Sequence, residues 1–213
     1  MFTINDKSNY LTDELSESPI ERVFMSEIVK YLEYGTQIGQ QIDYSTKLGN
    51  FRVDFIIKKG EHEYVIELDG KEFHKVENDI WRDSFLLGEK KVKSIVRIKG
   101  KDITHNLNEC LYFLSQIFPE TFSKRGKLNL GTLIESKNKI TIDNNIKENL
   151  FECINKFYLK KVEFDLDVIK EYPSIEINIK DFKKFNNWEK LYFFAVKNNI
   201  YDKVELNKKY FNK

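Results

Sequence analysis

This chain of 213 residues has few cysteines, few prolines and almost no net charge. Its two cysteines, Cys110 and Cys153, each lie within an apolar helical pattern, which predicts buried free thiols in a reducing compartment rather than a disulfide. The sequence has neither a Cys/His spacing typical of zinc sites nor a phosphate-binding glycine loop. A net charge of +1 argues against strong non-specific binding to nucleic acid, so any nucleic-acid surface would have to be a local patch.

Long apolar runs are also missing. The N-terminal residues are polar, and no stretch approaches the ~18 consecutive apolar residues that a membrane-spanning helix requires. Secretion, membrane insertion and a membrane partner are therefore unsupported, and a cytoplasmic protein is expected. What the chain does have is a hydrophobic content of 41%, enough for one substantial core, or for one core and a smaller domain.

The most informative segment is 52–74, RVDFIIKKGEHEYVIELDGKEFH. Two stretches rich in β-branched and aromatic residues flank the turn-prone residues 58–61, a pattern that predicts a β-hairpin. With a period of two, Arg52, Asp54 and Ile56 are expected on one face of the first strand. By the same alternation, Glu67 and Asp69 share one face of the second strand.

Carboxylates on otherwise apolar strands indicate a metal site. Burying several of them side by side is costly unless a cation neutralises them, and Mg²⁺ prefers oxygen ligands. Asp54 and Glu67 are therefore the first candidate ligands, and a backbone carbonyl such as that of Leu68 could complete the coordination. The alternative for any single acid is that it caps a turn or pairs with Arg52 or Lys71 on a solvated face.

The order of these motifs resembles the PD-(D/E)xK endonuclease superfamily, and most closely its very-short-patch-repair-endonuclease-like branch. The resemblance runs over about residues 18–114. The matching segments are, in chain order, Ser18-Pro19-Ile20-Glu21, Val53-Asp54-Phe55, Ile66-Glu67-Leu68-Asp69-Gly70 with Phe73-His74, Asp79-Ile80-Trp81-Arg82-Asp83, Gly88, and Val96-Arg97-Ile98.

The resemblance implies a metal-dependent active site. Asp54 and Glu67 would hold Mg²⁺ or Mn²⁺, and Glu21 would reach the same site from the first helix, directly or through water. The superfamily lysine two residues after the second acid is replaced here by Asp69, and members of this branch often carry Asp-Gly at that point. Without that lysine the general base is unassigned, and Lys71 and His74 are both candidates. Histidine is a candidate because it transfers protons readily near neutral pH.

Basic residues beyond the acidic strands are candidates for binding nucleic acid. Arg82 could clamp a phosphate, although a surface pair with Asp79 or Asp83 is the alternative. Arg97 is expected either to be structural or to contact the nucleic-acid backbone. Lys99, in a local run of lysines, could track phosphates, but such a run is also typical of a solvated face.

Glu21 has an alternative role to metal binding, because Ser18 and Glu21 together form a capping box at a helix start.

The function implied is metal-dependent hydrolysis of phosphodiester bonds, in DNA, for restriction or defence, repair or mobile-element processing. RNA stays open as a substrate because no base-reading motif is visible. A homodimer could cut both strands, and a larger defence or mobile-element complex is another context. The alternatives are a catalytically inactive nuclease-like module that binds nucleic acid or a partner protein, and a structural subunit whose acids merely solvate a strand edge.

The predicted fold is α/β: a restriction-endonuclease-like α/β sandwich around a mixed sheet over residues 1–120, followed by a smaller α+β region over 121–213 that could bind DNA, dimerise or bind a partner. The periodicity predicts, in chain order, a helix from 18 to near 35, an extended segment 38–44, the hairpin, a helix 77–87, a strand 94–98, a helix 106–117, a hairpin of 128–134 with 139–142, a helix 146–158, short strands 162–166 and 174–179, and a helix 181–197. The aromatics of the last helix have core spacing, although aromatics among lysines can also stack bases.

Overall fold

The computed structural model describes residues 2–4, 17–69, 76–134, 156–158 and 188–211. These form an α/β fold around a mixed sheet in the order β1-β2-β3-β4-β5-β6, four long strands with a short strand at each edge. The strands are β1 Phe2–Thr3, β2 Gln37–Thr46, β3 Gly49–Lys59, β4 His62–Asp69, β5 Ser94–Lys99 and β6 Lys156–Tyr158. The helices are α1 Pro19–Ile28, α2 Val76–Gly88, α3 Gly100–His105, α4 Leu107–Ile117, α5 Lys124–Leu133, α6 Trp188–Asn198 and α7 Lys203–Tyr210.

Strands β1 to β4 pair antiparallel, whereas β4, β5 and β6 pair parallel. The predicted hairpin is confirmed, with Gly60 in its turn at a φ of +61°, a conformation that glycine adopts without steric cost. The connection from β4 to the parallel β5 passes through α2, the usual solution for joining parallel neighbours. Helix α2 is therefore fixed across one face of the sheet.

Helix α1 begins as predicted and ends earlier. Ser18 caps it by accepting a hydrogen bond from the Glu21 N–H at 3.3 Å, and Pro19 occupies the first turn. The prediction that the helix continues to near Gly35 is wrong, because Leu32 forms a β-bridge with Phe122 after the helix stops at Ile28. This bridge draws the chain away from the helix axis.

Helices cover both faces of the sheet. On one face, Phe55, Ile66 and Val96 pack with residues of α1, α3 and α4. On the other face, Val65 and Ile95 pack with Leu86 of α2. This layering is compatible with an α/β sandwich. Cys110 is a buried free thiol in the first of these cores, as predicted, and burial raises its pKa; Cys153 lies outside the described residues.

The C-terminal helices α6 and α7 pack on the outer side of α2. Trp81 and Phe85 of α2 share a core with Leu191 of α6 and Leu206 of α7. The Trp81 Nε1 donates a hydrogen bond to Asn207 Oδ1 at 2.6 Å. Packing thus joins described residues from both sides of position 120, and the predicted division of the chain there stays a prediction.

Three sequence-based assignments in the C-terminal half change. Residues 128–133 are helical rather than a hairpin strand, since Ser123 caps α5 by accepting from the Gly126 N–H at 2.9 Å. Residues 156–158 form strand β6 beside β5 rather than the end of a helix. The helix predicted over 181–197 is present from Trp188, while 139–142, 162–166 and 174–179 lie outside the described residues.

Helices α3 and α7 were not predicted from the sequence.

In the part of the chain that the structure describes, none of the helices combines the length and apolarity needed to cross a bilayer.

Two glycines of α5 provide a matched pair for testing its packing. A Cβ at Gly126 would lie 2.3 Å from the Tyr31 carbonyl oxygen, whereas a Cβ at Gly131 would meet only the Tyr112 ring at 3.9 Å. We expect Gly126→Ala to lower the free energy of unfolding by about 1–3 kcal/mol through overpacking, and Gly131→Ala to raise it by about 0.5–1 kcal/mol through helix propensity. Urea unfolding of both variants checks this, and equal effects would contradict the close approach at Gly126.

Candidate functional site

Asp54 lies where the pairing of β3 with both of its neighbours is interrupted. On one side, Gln40 pairs with Phe55 and Ile42 with Val53, but the ladder omits the intervening pair of Gln41 with Asp54. On the other side, the β3–β4 ladder ends at Phe55 and Ile66. Strands β3 and β4 therefore separate at Asp54 and Glu67, and the Asp54 carboxylate takes the place of a strand partner: its Oδ2 accepts a hydrogen bond from the Leu68 N–H at 2.8 Å.

The alternation of side chains along β3 reverses at Asp54. Val53 and Ile56 both pack on the α2 face, whereas Phe55 packs on the opposite face. The prediction that Arg52, Asp54 and Ile56 share one face is therefore wrong, because the period of two assumes an uninterrupted ladder. Arg52, adjacent to Val53, instead forms an exposed ion pair with Glu17 at 3.2 Å.

Gln41, opposite Asp54 on β2, has a φ of +50°. A non-glycine residue in this conformation costs on the order of 1–3 kcal/mol and persists only where its surroundings hold it. The Gln41 Nε2 donates a hydrogen bond to Glu21 Oε2 at 3.0 Å. Glu21 is 6% exposed, and it also accepts from the Ser18 hydroxyl at 2.7 Å and from the Glu17 N–H at 3.0 Å. Glu21 thus connects the start of α1 to the interruption in the sheet.

Glu67 lies under α2 in a network of buried charges. It pairs in register with Arg97 of β5, and its Oε1 is 3.4 Å from the Arg82 Nη2. The Arg97 Nη2 donates to both carboxylate oxygens of Asp83, at 3.2 and 3.3 Å. Arg82 also contacts Asp83, through its Nε at 3.3 Å. Acidic and basic side chains therefore alternate along a series of contacts that runs from Glu67 on the sheet through Arg82 and Asp83 on α2 to Arg97 on the sheet.

Burial shifts both candidate ligands toward the protonated form. It raises the pKa of Glu67 to about 8; Arg82 and Arg97 oppose the rise, whereas Asp54 and Asp83 add to it. Burial also raises the pKa of Asp54, and the charge of Glu21 adds to the rise. The hydrogen bond from the Leu68 N–H and the charges of Arg82 and Arg97 lower this pKa. The contribution of Asp54 to the raised pKa of Glu67 indicates two neighbouring carboxylates whose charges are incompletely compensated, as at many functional sites.

The raised pKa of Glu67 predicts how stability changes with pH. The folded state keeps the proton up to about pH 8, whereas the unfolded carboxyl loses it near pH 4.5. Between these values the unfolded state binds fewer protons, so this group lowers the free energy of unfolding by about 1.4 kcal/mol for each unit of rising pH. Urea unfolding at pH 5, 6, 7 and 8 should show this slope in the wild type and lose it in Glu67→Gln. Parallel slopes would mean that Glu67 ionises normally.

The structure brings together five of the predicted site residues: Glu21, Asp54, Glu67, Arg82 and Arg97. Arg82 contacts Asp83, the partner named in its alternative, but this pair is buried rather than on the surface, and Arg82 also pairs with Glu67. Arg97 is 3% exposed and has the arrangement of the structural alternative. Asp69 and Lys99 end β4 and β5 and pair in register, but the structure describes only their backbone. Lys71 and His74 lie outside the described residues.

Two residues of the site were missed by sequence reasoning in their actual roles. Asp83 was expected in a motif or a surface pair, but it is 1% exposed and binds Arg97. Gln41 carried no signal at all, since a glutamine in an extended segment is ordinary. Only the departure of its φ from the strand value reveals it.

The donor chemistry of Asp54 and Glu67 fits a hard divalent cation. Both supply carboxylate oxygens, and the buried Glu67 Oε1 accepts no hydrogen bond from any described residue. Among the described residues, however, no group of three or more His, Cys, Asp or Glu side chains is arranged to hold a metal ion. A cation here would therefore rely on this carboxylate pair together with main-chain or water oxygens.

Comparison with family models, with curated proteins and with solved structures found no match to this chain.

Proposed function

We propose that this chain is a metal-dependent endonuclease of the restriction-endonuclease-like kind that hydrolyses phosphodiester bonds in DNA. The observation that carries the proposal is the pair of Asp54 and Glu67 at the point where β3 and β4 separate, with burial raising the pKa of both carboxyls. Two such groups side by side favour a bound cation, and the chain places an arginine beside them.

Asp54 and Glu67 would hold Mg²⁺ or Mn²⁺, and the carbonyl of Leu68, the residue after Glu67, is the candidate main-chain ligand. Such an ion supplies Lewis acidity toward the phosphate and favours ionisation of the attacking water. The Leu68 N–H holds the Asp54 carboxylate in place. Arg82, 15% exposed at its side chain, could neutralise a phosphate oxygen, while the Arg97–Asp83 pair fixes α2 against the sheet.

The proton-transfer step is assigned to Lys71 or His74, and neither is among the described residues. Asp69 belongs to the same motif, and Lys99 remains a proposed contact to the nucleic-acid backbone. Cytoplasmic restriction or defence, repair and mobile-element processing remain the proposed contexts. A homodimer would supply two sites for cutting both strands.

A second candidate is a nuclease-like module that binds nucleic acid or a partner protein without cutting. One observation favours it: the Arg82 guanidinium lies 3.4 Å from Glu67 Oε1 and already supplies positive charge beside this carboxylate. An arginine that compensates a buried acid in this way weakens the need for a metal ion.

The test is incubation of supercoiled plasmid, single-stranded DNA and single-stranded RNA with the purified protein in Mg²⁺, Mn²⁺ or EDTA. Cutting in either metal and none in EDTA would support the nuclease, and the preferred substrate would assign DNA or RNA. If the protein cuts nothing, calorimetric titration with Mn²⁺ separates two outcomes. Binding of Mn²⁺ would indicate an intact site that needs an activating partner, and no binding would overturn the proposal in favour of the binding-only module.

A further inference from the structure

We infer that Gln41, held by Glu21, is a positioning residue that sets the direction of the Asp54 carboxylate, so that Glu21 acts on the site through Gln41 rather than by binding a metal itself. This inference deepens the proposed function and rests on it for its catalytic meaning. Its structural part involves the side chains of Glu21, Gln41 and Asp54 and the backbone N–H of Leu68. That part can be tested whether or not the protein cuts nucleic acid.

The hydrogen bonds of Glu21 support an anchoring role. Its Oε1 accepts from the Ser18 hydroxyl, and its Oε2 accepts from both the Glu17 N–H and the Gln41 Nε2. With the side chain 6% exposed, these three donors occupy the carboxylate from the start of α1 and from β2. A carboxylate committed to three protein donors has little remaining capacity for a cation, but it is well placed to hold Gln41.

The backbone of Gln41 determines how β2 meets Asp54. The β2–β3 register is the same on both sides of the interruption, so no residue is inserted there. What differs is the φ of +50° at Gln41, opposite Asp54. If Gln41 were extended, it could pair with Asp54 and the two strands would alternate without reversal. Both strands instead change faces here, because Ile38 packs on the α1 face and Ile42 on the α2 face, as Phe55 and Val53 do in β3.

The Leu68 N–H reports directly on the direction of Asp54. It donates to Asp54 Oδ2 at 2.8 Å beyond the end of the β3–β4 ladder. Hydrogen–deuterium exchange measured by NMR should therefore show this amide protected in the wild type and exposed in Asp54→Ala, the positive control. Amides of Val65 and Ile95, in the α2-side core, serve as internal reporters that the sheet is folded.

The discriminating variants all act on the hydrogen bond between Gln41 and Glu21, and Glu21→Leu also removes the bonds from Ser18 and Glu17. We expect Gln41→Leu and Glu21→Leu each to speed exchange of the Leu68 amide at least tenfold, with Val65 and Ile95 still protected. Glu21→Gln keeps an oxygen that can accept from Gln41, so it should preserve the protection of Leu68. Gln37→Leu is the matched control, since Gln37 lies on the same strand and its Nε2 contacts Thr3 instead.

Unchanged Leu68 exchange in Gln41→Leu would overturn the inference. So would loss of protection in Glu21→Gln equal to that in Glu21→Leu, because a role that needs the charge of Glu21 would then be indicated. Calorimetric titration with Mn²⁺ adds the functional readout, and Gln41→Leu should weaken binding at least tenfold while Gln37→Leu does not. If the wild type binds no Mn²⁺, the metal site fails, and the exchange of Leu68 still decides the positioning role.

Discussion

Asp54→Asn and Glu67→Gln should each reduce metal-dependent plasmid cleavage by about a thousandfold, because a bound cation contributes several kcal/mol of charge stabilisation in the transition state. Each substitution keeps the size of the side chain and removes one anionic oxygen donor. The measurement is the initial rate of conversion of supercoiled plasmid at fixed Mg²⁺, with calorimetric titration of Mn²⁺ beside it.

The matched control for this loss is Glu63→Gln on the same strand as Glu67. Glu63 contacts Lys58 at 2.6 Å and the Tyr44 hydroxyl at 3.0 Å, near the other end of β4. Its replacement should leave cleavage within about twofold of the wild type, since it touches nothing at the site. Glu67→Gln should also stabilise the fold above pH 5, so lost cleavage could not be ascribed to unfolding. Cleavage retained in both site variants would exclude these carboxylates as ligands.

Asp83→Ala should lower the free energy of unfolding by about 3–5 kcal/mol, because it leaves the Arg97 guanidinium buried without its carboxylate. The side chains of Arg97 and Asp83 are 2% and 1% exposed, so solvent screens their interaction little. Urea unfolding at pH 7 measures the change. The double variant Asp83→Leu with Arg97→Met should recover most of the loss, since it removes the buried Arg97 charge together with its partner, while Arg82 keeps its ion pair with Glu67.

An exposed ion pair provides the comparison for this result. Lys209 and Glu205 of α7 lie 2.8 Å apart, with side chains 55% and 48% exposed. Glu205→Ala should therefore cost no more than about 0.5 kcal/mol. A similar effect for Asp83→Ala and Glu205→Ala would mean that the Arg97–Asp83 pair is hydrated in solution and does not fix α2.

Local sequence patterns were sufficient to place most elements of the sheet and its helices. The start of α1 follows from Ser18 and Pro19, whose cap and ring geometry act within one turn. The β3–β4 hairpin follows from two apolar stretches around Gly60, and α4 begins after Asn106, as its periodicity predicts. These features depend on neighbours a few residues apart, so the sequence contains their cause.

Features that depend on distant contacts could not be read in the same way. The alternation of β3 reverses at Asp54 because of the backbone of Gln41 on another strand. Strand β6 forms because residues 156–158 meet β5, more than fifty residues earlier in the chain. Residues 128–133 have strand-like spacing, but the Ser123 cap and packing of α5 make them helical.

The residues of the candidate site show the same difference between local patterns and distant contacts. Asp54 and Glu67 were recognisable because acids on apolar strands are unusual and need compensation. The identity of the compensating groups was not recognisable, since Asp83 reaches Arg97 only after α2 has packed on the sheet. The hydrogen bond from Gln41 to Glu21 likewise joins residues twenty positions apart through tertiary structure.

The position of Trp81 gives the protein a natural optical probe. This fully buried indole lies between α2 and α7, with its ring edge-on to Tyr210 and Phe211, and it precedes Arg82 in the chain. The chain has only one other tryptophan, Trp188, so Trp188→Phe would leave a single emitter. Separation of the C-terminal helices from α2 would expose the indole to water and shift its fluorescence to longer wavelength. Movement of the helix that carries Arg82 could thus be followed in real time without an added label.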